Sequence, residues 1–222
     1  MKFVDVPLLL FAATAAVGAS GVATFPASDF QDWNELDISA SVTDAFDVTL
    51  VSKMRLSSEI ENPARYAFGS DFKFRVSKHV ILTPSYYYYA FRTSSGAFGH
   101  GHAPILAVTF LEARERWLLS DRSRFVGELS VTGKPDLWVY RNQPRVDRSF
   151  GPEQWSLSGF LWDEIFYYSA PDDKLRNRIA AGIRKGFSRT FAINLYYQRQ
   201  NDNQSRPGNI STVGVLLEAR LR

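Results

Sequence analysis

The sequence predicts an all-β protein: a single antiparallel up-and-down transmembrane β-barrel of about 10–12 strands, following an N-terminal signal peptide. Three observations predict it. Apolar and polar residues alternate with a period of two, the alternating segments are long for strands, and short turns alternate with longer loops. Because successive side chains of a strand point to opposite faces, this alternation gives each strand one apolar and one polar face.

The segment of residues 173–209 shows the pattern most clearly. In its first half, Ile179 and Ile183 fall on one face and Arg178 on the other. The second half repeats the alternation after a short turn at residues 186–190, and a longer polar loop follows it. The segment therefore predicts two antiparallel strands joined by a tight turn.

The same assignment along the rest of the chain gives eleven alternating segments. In order they are Glu35–Val42, Val48–Leu56, Arg65–Val76, His79–Arg92, Pro104–Phe110, Leu119–Val131, Asp136–Arg148, Trp155–Tyr168, Leu175–Arg184, Phe191–Gln200 and Ile210–Arg222. Bacterial outer-membrane barrels have an even number of strands, so we expect ten or twelve. Twelve is favoured if a short strand lies near residues 23–30.

The length of the segments and the alternation of short and long connections distinguish a membrane barrel from a soluble sandwich. Most segments last about 9–13 residues, whereas strands of soluble domains usually have about five or six and a tilted membrane strand needs about 9–11. Connections such as residues 43–45 and 114–116 are short, and those at residues 57–64, 93–102 and 201–209 are longer. A transmembrane barrel sorts its connections in this way, whereas a soluble sandwich has no reason to do so.

Composition narrows the class of protein. The 222 residues suit one all-β domain, and 26 basic against 23 acidic residues are too balanced to indicate a nucleic-acid partner. The absence of cysteine excludes a disulfide framework and a thiolate metal site. An aromatic share of 14% suits both strands and the aromatic girdles of membrane barrels.

Residues 1–28 are predicted to be a signal peptide, and residues 29–222 the barrel domain. Val6 to Val17 is an apolar run of suitable length, and small residues follow it. An uncleaved anchor is the alternative, because the uncharged run extends to Phe25. A Gram-negative-type outer membrane is the expected location, and the periplasm is the alternative.

The polar faces are rich in ions, which predicts the interior of the barrel. A narrow barrel fills its lumen with side chains, and charges are tolerated there only when they are paired and hydrogen-bonded. An Arg guanidinium can join two carboxylates on neighbouring strands. The predicted lumen network consists of Arg122, Arg124, Glu128, Arg141, Glu164, Arg176, Arg178, Glu218 and Arg220.

Candidate catalytic and metal sites are weak. His100 and His102 are expected in a surface loop with no nearby carboxylate or thiolate, so no metal site is predicted. No serine can be paired with His79, which opens the fourth segment with Ser85 six residues on. The adjacent Asp163 and Glu164 face opposite ways in a strand, so Glu164 is expected to pair with arginines such as Arg178 or Arg141.

Several short strings follow one another in an order that resembles a known bacterial family, domain of unknown function 2490. They are Phe30-Gln-Asp-Trp-Asn-Glu35, Leu119-Ser-Asp-Arg-Ser-Arg-Phe125, Trp138-Val-Tyr-Arg-Asn142, Trp162-Asp-Glu-Ile-Phe-Tyr167, Arg176-Asn-Arg178, Leu195-Tyr-Tyr-Gln-Arg-Gln-Asn-Asp202 and Ser205-Arg-Pro-Gly208. The resemblance covers nearly the whole mature chain. It implies an exported β-barrel of the outer membrane with no established activity.

The sequence therefore predicts a monomeric, non-catalytic outer-membrane barrel without a cofactor, acting as a structural element, narrow pore or binding scaffold. Its expected partners are outer-membrane lipid and the barrel insertion machinery, although the chain finishes on Leu221-Arg222 where an aromatic residue is common. Two alternatives stay open: a lipid-modifying barrel enzyme, and a soluble periplasmic barrel that binds an apolar ligand. In the soluble alternative the faces swap and Ile183 is buried.

Overall fold

The computed structural model describes residues 28–57, 62–93, 96–131, 136–169, 175–202 and 208–221. These residues form one closed barrel of eleven strands. The strands are β1 Ser28–Thr43, β2 Phe46–Ser57, β3 Asn62–Arg75, β4 Val80–Arg92, β5 Phe98–Arg114, β6 Trp117–Ser130, β7 Leu137–Phe150, β8 Leu157–Tyr168, β9 Leu175–Gly186, β10 Phe191–Asn201 and β11 Asn209–Leu221. The predicted signal peptide lies outside the described residues except for Ser28, which begins β1.

Each strand pairs antiparallel with its neighbours along the chain, and β1 closes the barrel against β11 in parallel. The expectation of ten or twelve strands is wrong. With eleven strands the first and last run in the same direction. They form a parallel ladder, from the pair Ser28 and Asn209 to the pair Ala40 and Leu221, which supplies hydrogen-bond partners to the backbone of both edge strands. Of the segment at residues 23–30, which was expected to hold an extra strand, residues 28–30 begin β1 and the others lie outside the described residues.

The long-loop end of the barrel carries the N-terminus of β1, and the short-turn end carries the C-terminus of β11. At the short-turn end only residues 44–45 separate β1 from β2, and residues 115–116 separate β5 from β6. The connection from β7 to β8 is the longest at this end and contains a 3-10 turn, Glu153–Trp155. No helix of the described residues is long and apolar enough to cross a membrane.

Several strand boundaries differ from the prediction. Strand β5 begins at Phe98 and not at Pro104, so the predicted loop at residues 93–102 is too long. A glycine of this segment is needed for packing within the strand. A side chain at Gly101 would collide with the Tyr89 ring, which lies on the inner face of the neighbouring strand. His79 precedes β4, and Trp155 belongs to the 3-10 turn and not to β8.

The outer surface of the barrel is apolar. Ile183 is 51% exposed and Leu195 47%, and both point away from the lumen. The large exposed residues form a belt, with Trp117 near the short turns and Trp138 near the long loops. Ile183 therefore lies on the outer face of the barrel and not on the inner face, where the swapped arrangement of the soluble alternative would put it.

The interior is filled by polar side chains and by aromatic rings. Thr49, Gln198 and Thr212 are among the most deeply buried residues of the described chain. Close approach requires glycine at two positions beneath rings: Gly69 lies under Tyr87, and Gly214 lies under Tyr196. The fold therefore reverses the usual distribution, with oily residues outside and hydrogen-bonding residues inside.

Candidate functional site

Glu164 is the most deeply buried carboxylate among the described residues, with 1% of its surface exposed. Strand β8 alternates, so Glu164 faces the lumen while its neighbour Asp163 faces outward. The two carboxylates therefore do not form a catalytic pair. Glu164 lies directly opposite Arg178 of β9, which its register places on the same face.

Three arginines surround Glu164, and we call these four residues the Glu164 cluster. Arg141 donates from Nε to Oε1 at 3.1 Å and from Nη2 to Oε2 at 2.7 Å. Arg124 donates to Oε1 from β6, where it is paired with Arg141 of β7 in the register. Arg178 Nη1 lies 3.9 Å from Oε2. One carboxylate thus joins arginines from three other strands.

Aromatic rings and a glutamine amide also contact the guanidinium groups, whose total positive charge exceeds the single negative charge of Glu164. The guanidinium carbons of Arg141 and Arg178 lie 4.3 and 4.5 Å from the centre of the Phe166 ring. Arg178 also lies 5.0 Å from the Trp33 ring and donates from Nε to Gln200 at 2.8 Å. Such contacts stabilise guanidinium groups that are largely withdrawn from water, as the side-chain exposures of 20% for Arg141 and 7% for Arg178 show. The cluster is suited to joining strands and to sealing the lumen.

The short-turn half of the lumen holds separate ion pairs. Glu218 accepts bonds from Arg184 Nη2 at 2.6 Å and from Asn194 Nδ2 at 2.8 Å. Arg145 donates to both oxygens of Asp147, at 2.8 and 2.6 Å. These pairs line a cavity of about 560 Å³ that opens toward the short turns. The lumen therefore has a vestibule at this end.

A polar patch interrupts the apolar outer surface on β6 to β9. Asn142 donates to Asp121 at 2.8 Å and to Ser123 at 3.3 Å. Farther round the barrel, Asn177 donates to the outward Asp163. Asp121 is exposed, and apolar residues flank it on its own and on neighbouring strands: Leu119, Phe110 and Val146.

The sequence matches the family model described as protein of unknown function (DUF2490) over residues 30–211. The chain belongs to this family. The match confirms the resemblance predicted from the ordered strings, and it covers every strand from β2 to β10. A comparison with curated proteins finds no match. Because the family description assigns no activity, the function has to be argued from the geometry of this member.

The structure brings four of the nine predicted lumen residues together, in the Glu164 cluster. All nine lie on the inner face, but the other five are spread along the lumen. Arg122 donates to Gln143, and Arg176 pairs with Asp202 at 2.8 Å near the long loops. Glu218 and Arg220 belong to the short-turn half, and Glu128 joins no ion pair of the described residues.

Sequence reasoning missed several partners of these residues. Asp47, which binds Arg75 and lies 3.6 Å from Arg220, was not predicted because it directly follows a turn. The Arg145–Asp147 pair could have been found, since residues two apart on a strand share a face. Asp202 follows β10 at the edge of the predicted loop, where the period of two gives no signal.

The three histidines lie in two separate places in the barrel. His100 and His102 lie in β5 and not in a surface loop, which corrects the prediction. His79 contacts Glu112 at 3.1 Å near the short turns, whereas Ser85 lies within β4 and makes no contact with it. The described residues contain no group of three or more His, Asp or Glu side chains placed to hold a metal.

Proposed function

We propose that this DUF2490 member is a non-catalytic outer-membrane barrel that acts as a structural element or binding scaffold, with an interior too crowded for an open pore. The observation that carries the proposal is the reversed distribution of side chains. Exposed residues such as Leu195 and Ile183 suit hydrocarbon, while Glu164 and Arg178 are sealed inside at 1% and 6% exposure. A barrel with this distribution is stable where lipid, and not water, surrounds it.

The dimensions support the same proposal. The shortest strand, β10, has 11 residues and the longest, β5, has 17, which meets or exceeds the roughly 9–11 residues that cross the hydrocarbon at a tilt. Large aromatic residues lie near both ends of the barrel, among them Trp117 and Trp138. Aromatic girdles at both interfaces are typical of membrane barrels.

The Glu164 cluster favours a scaffold over a pore. The cluster joins β6, β7, β8 and β9, and it packs against Phe166. Through Arg178 it also contacts Trp33 of β1, the strand that closes the barrel against β11. Gln198 and Gln200, each 1% exposed, fill the same level. Barrels of this size are narrow enough for side chains to fill, and open aqueous channels belong to wider ones.

Cysteine accessibility tests the membrane location, because the chain has no native cysteine. We expect Ile183→Cys, reconstituted in lipid vesicles, to resist a membrane-impermeant maleimide until the protein is unfolded. The control is Ser188→Cys, which lies in the exposed turn between β9 and β10. The reagent should modify this cysteine in the folded protein once the vesicles are permeabilised. Rapid modification of Ile183→Cys, or solubility of the mature protein without detergent, would remove the proposal.

Conductance across a planar bilayer tests the sealed lumen. We expect inserted protein to give no single-channel steps. Stable steps would overturn the sealed-scaffold part of the proposal and favour a narrow pore, whose selectivity should be for anions because arginines dominate the Glu164 cluster.

A further inference from the structure

Four ring side chains form a cluster on the outer surface of β4 and β5, near the long loops. They are Tyr86, Tyr88, His100 and His102, and we call them the Tyr–His cluster. In the register Tyr88 is opposite His102, and the two histidines share a face because they are two residues apart on one strand. The cluster plays no part in the function proposed above, because that function requires only an apolar outer surface.

Each histidine is held through one ring nitrogen. The Tyr86 hydroxyl lies 2.7 Å from His102 Nδ1, and the Tyr88 hydroxyl lies 2.7 Å from His100 Nδ1. The Tyr88 ring also packs between both imidazoles, with ring centres 5.8 Å and 5.5 Å apart. No hydrogen bond to either Nε2 atom is made by a residue in the part of the chain that the structure describes. The four rings thus fix two imidazoles with one nitrogen of each unused.

The chemistry of the bonded pair assigns the protons. A phenol is a stronger acid than a neutral imidazole, so each tyrosine hydroxyl donates to Nδ1 and the ring proton stays on Nε2. The two histidines then offer two N–H donors from one face, about 6–7 Å apart at the backbone. A pair of donors calls for a ligand with several acceptor oxygens.

The surroundings of the cluster indicate which acceptor can reach it. Its outward neighbours are Tyr66, Phe98, Pro104 and Leu129, none of which carries a negative charge. Below it on β5 the outer surface becomes apolar at Leu106. The cluster therefore lies in an aromatic zone at the long-loop end of the apolar belt, which is the level of lipid headgroups if the barrel spans a membrane.

We propose that the Tyr–His cluster binds the phosphate group of an anionic lipid headgroup. The two Nε2 donors bind phosphate oxygens, the tyrosine hydroxyls position the imidazoles, and the acyl chains lie along the apolar belt below. The inference rests on the proposed membrane location, because only a lipid bilayer supplies this ligand at that level.

Lipid retention by the full chain tests the proposal. The protein, purified in a neutral detergent, is titrated with phosphatidylglycerol or with monogalactosyldiacylglycerol, which lacks phosphate, and bound lipid is counted by native mass spectrometry. We expect retention of phosphatidylglycerol and at least fivefold less of the galactolipid. The double variant His100→Phe/His102→Phe keeps the rings and removes the donors, so it should lose at least fivefold of the phosphatidylglycerol retention.

Two further variants make the result specific. Tyr86→Phe/Tyr88→Phe removes the hydroxyls that orient the imidazoles and should give an intermediate loss, while His79→Phe, near the short turns, should retain lipid like the parent. Heat-dependent mobility on gels shows whether each variant is folded. Equal retention by the folded His100→Phe/His102→Phe variant overturns the proposal.

Three other outcomes also overturn it. Complete competition by millimolar inorganic phosphate would indicate a site for a free anion, and tight binding of zinc without lipid retention would indicate the opposite tautomer and a metal site. Equal retention of both lipids would indicate general adhesion to the belt. In each case the Ile183→Cys measurement still reports separately on whether the barrel lies in a membrane.

Discussion

Replacing Glu164 by glutamine removes the only carboxylate of the Glu164 cluster while keeping the size of the side chain. Arg124, Arg141 and Arg178 then lose their counter-charge inside the barrel. Removing one partner of a buried ion pair costs about 3–5 kcal/mol, because the charge that remains is desolvated without compensation. The amide oxygen can still accept two bonds, but the amide NH2 group accepts none, so three guanidiniums compete for one oxygen. We therefore expect the free energy of unfolding to fall by about 3–5 kcal/mol.

Urea unfolding in lipid vesicles, followed by tryptophan fluorescence, measures this loss. Glu218→Gln is the matched control, since Glu218 also binds an arginine and an asparagine but its side chain is 33% exposed. Partly solvated pairs contribute about 1 kcal/mol or less, so the control should change little. A Glu164→Gln variant within about 1 kcal/mol of the parent would refute the reasoning.

A double variant separates lost charge balance from lost packing. In Glu164→Gln/Arg141→Met, one uncompensated guanidinium is also removed, and its methylene stem is replaced by an apolar chain that can pack on Phe166. We expect the double variant to recover part of the loss, so that the two effects are not additive. Full additivity would mean that Arg141 and Glu164 act independently despite their two hydrogen bonds.

Four further substitutions test other parts of the barrel by the same unfolding measurement. Gly69→Ala should cost about 1–3 kcal/mol because its methyl group meets the Tyr86 carbonyl oxygen and the Tyr87 ring, whereas Gly127→Ala, whose nearest neighbours are 3.2 Å away, should cost less. Glu115→Gly should stabilise slightly, because the φ of 49° at Glu115 costs about 1–2 kcal/mol and glycine loses only about 0.5–1 kcal/mol in entropy. Asp121→Leu should stabilise the barrel by about 1–2 kcal/mol in lipid, since removing a carboxylate from the apolar belt outweighs the loss of its hydrogen bond from Asn142; destabilisation would mean that this hydrogen bond is the larger effect.

The period of two was enough to predict the strands and the two faces. Alternation is local, so Ile183 could be placed outside and Arg178 inside without knowing which strands are neighbours. It also predicted that Asp163 and Glu164 point in opposite directions. The closed barrel, the all-β class and the family are confirmed.

Closure and packing could not be predicted from alternation. The parallel pair of β1 and β11 depends on residues far apart in sequence, so an even number of strands was wrongly expected. The start of β5 was wrong because glycine is usual in loops, whereas Gly101 here makes room for Tyr89 inside a strand. As a result His100 and His102 were assigned to a loop, and their tyrosine partners could not be identified.

Alternation also cannot decide between Arg176 and Arg178 as the partner of Glu164, since both lie on the inner face of β9. A slip of two residues between β8 and β9 keeps every face and moves Arg176 opposite Glu164. In the structure Arg176 binds Asp202 beyond β10, and Arg178 binds Gln200 and the aromatic rings. We infer that Asp202 helps to set the register by occupying the competing arginine.

Disulfide formation between β8 and β9 reports on this register directly. Cysteines at Asp163 and Ile179 are opposite in the native pairing, and cysteines at Leu161 and Ile179 are opposite only after the slip. In the parent background we expect the first pair to oxidise and the second to stay reduced. Asp202→Asn should allow measurable oxidation of the second pair, because the ion pair that holds Arg176 beside Asp202 is weakened. If the slipped pair stays reduced in Asp202→Asn, the aromatic contacts of Arg178 set the register without help from Asp202.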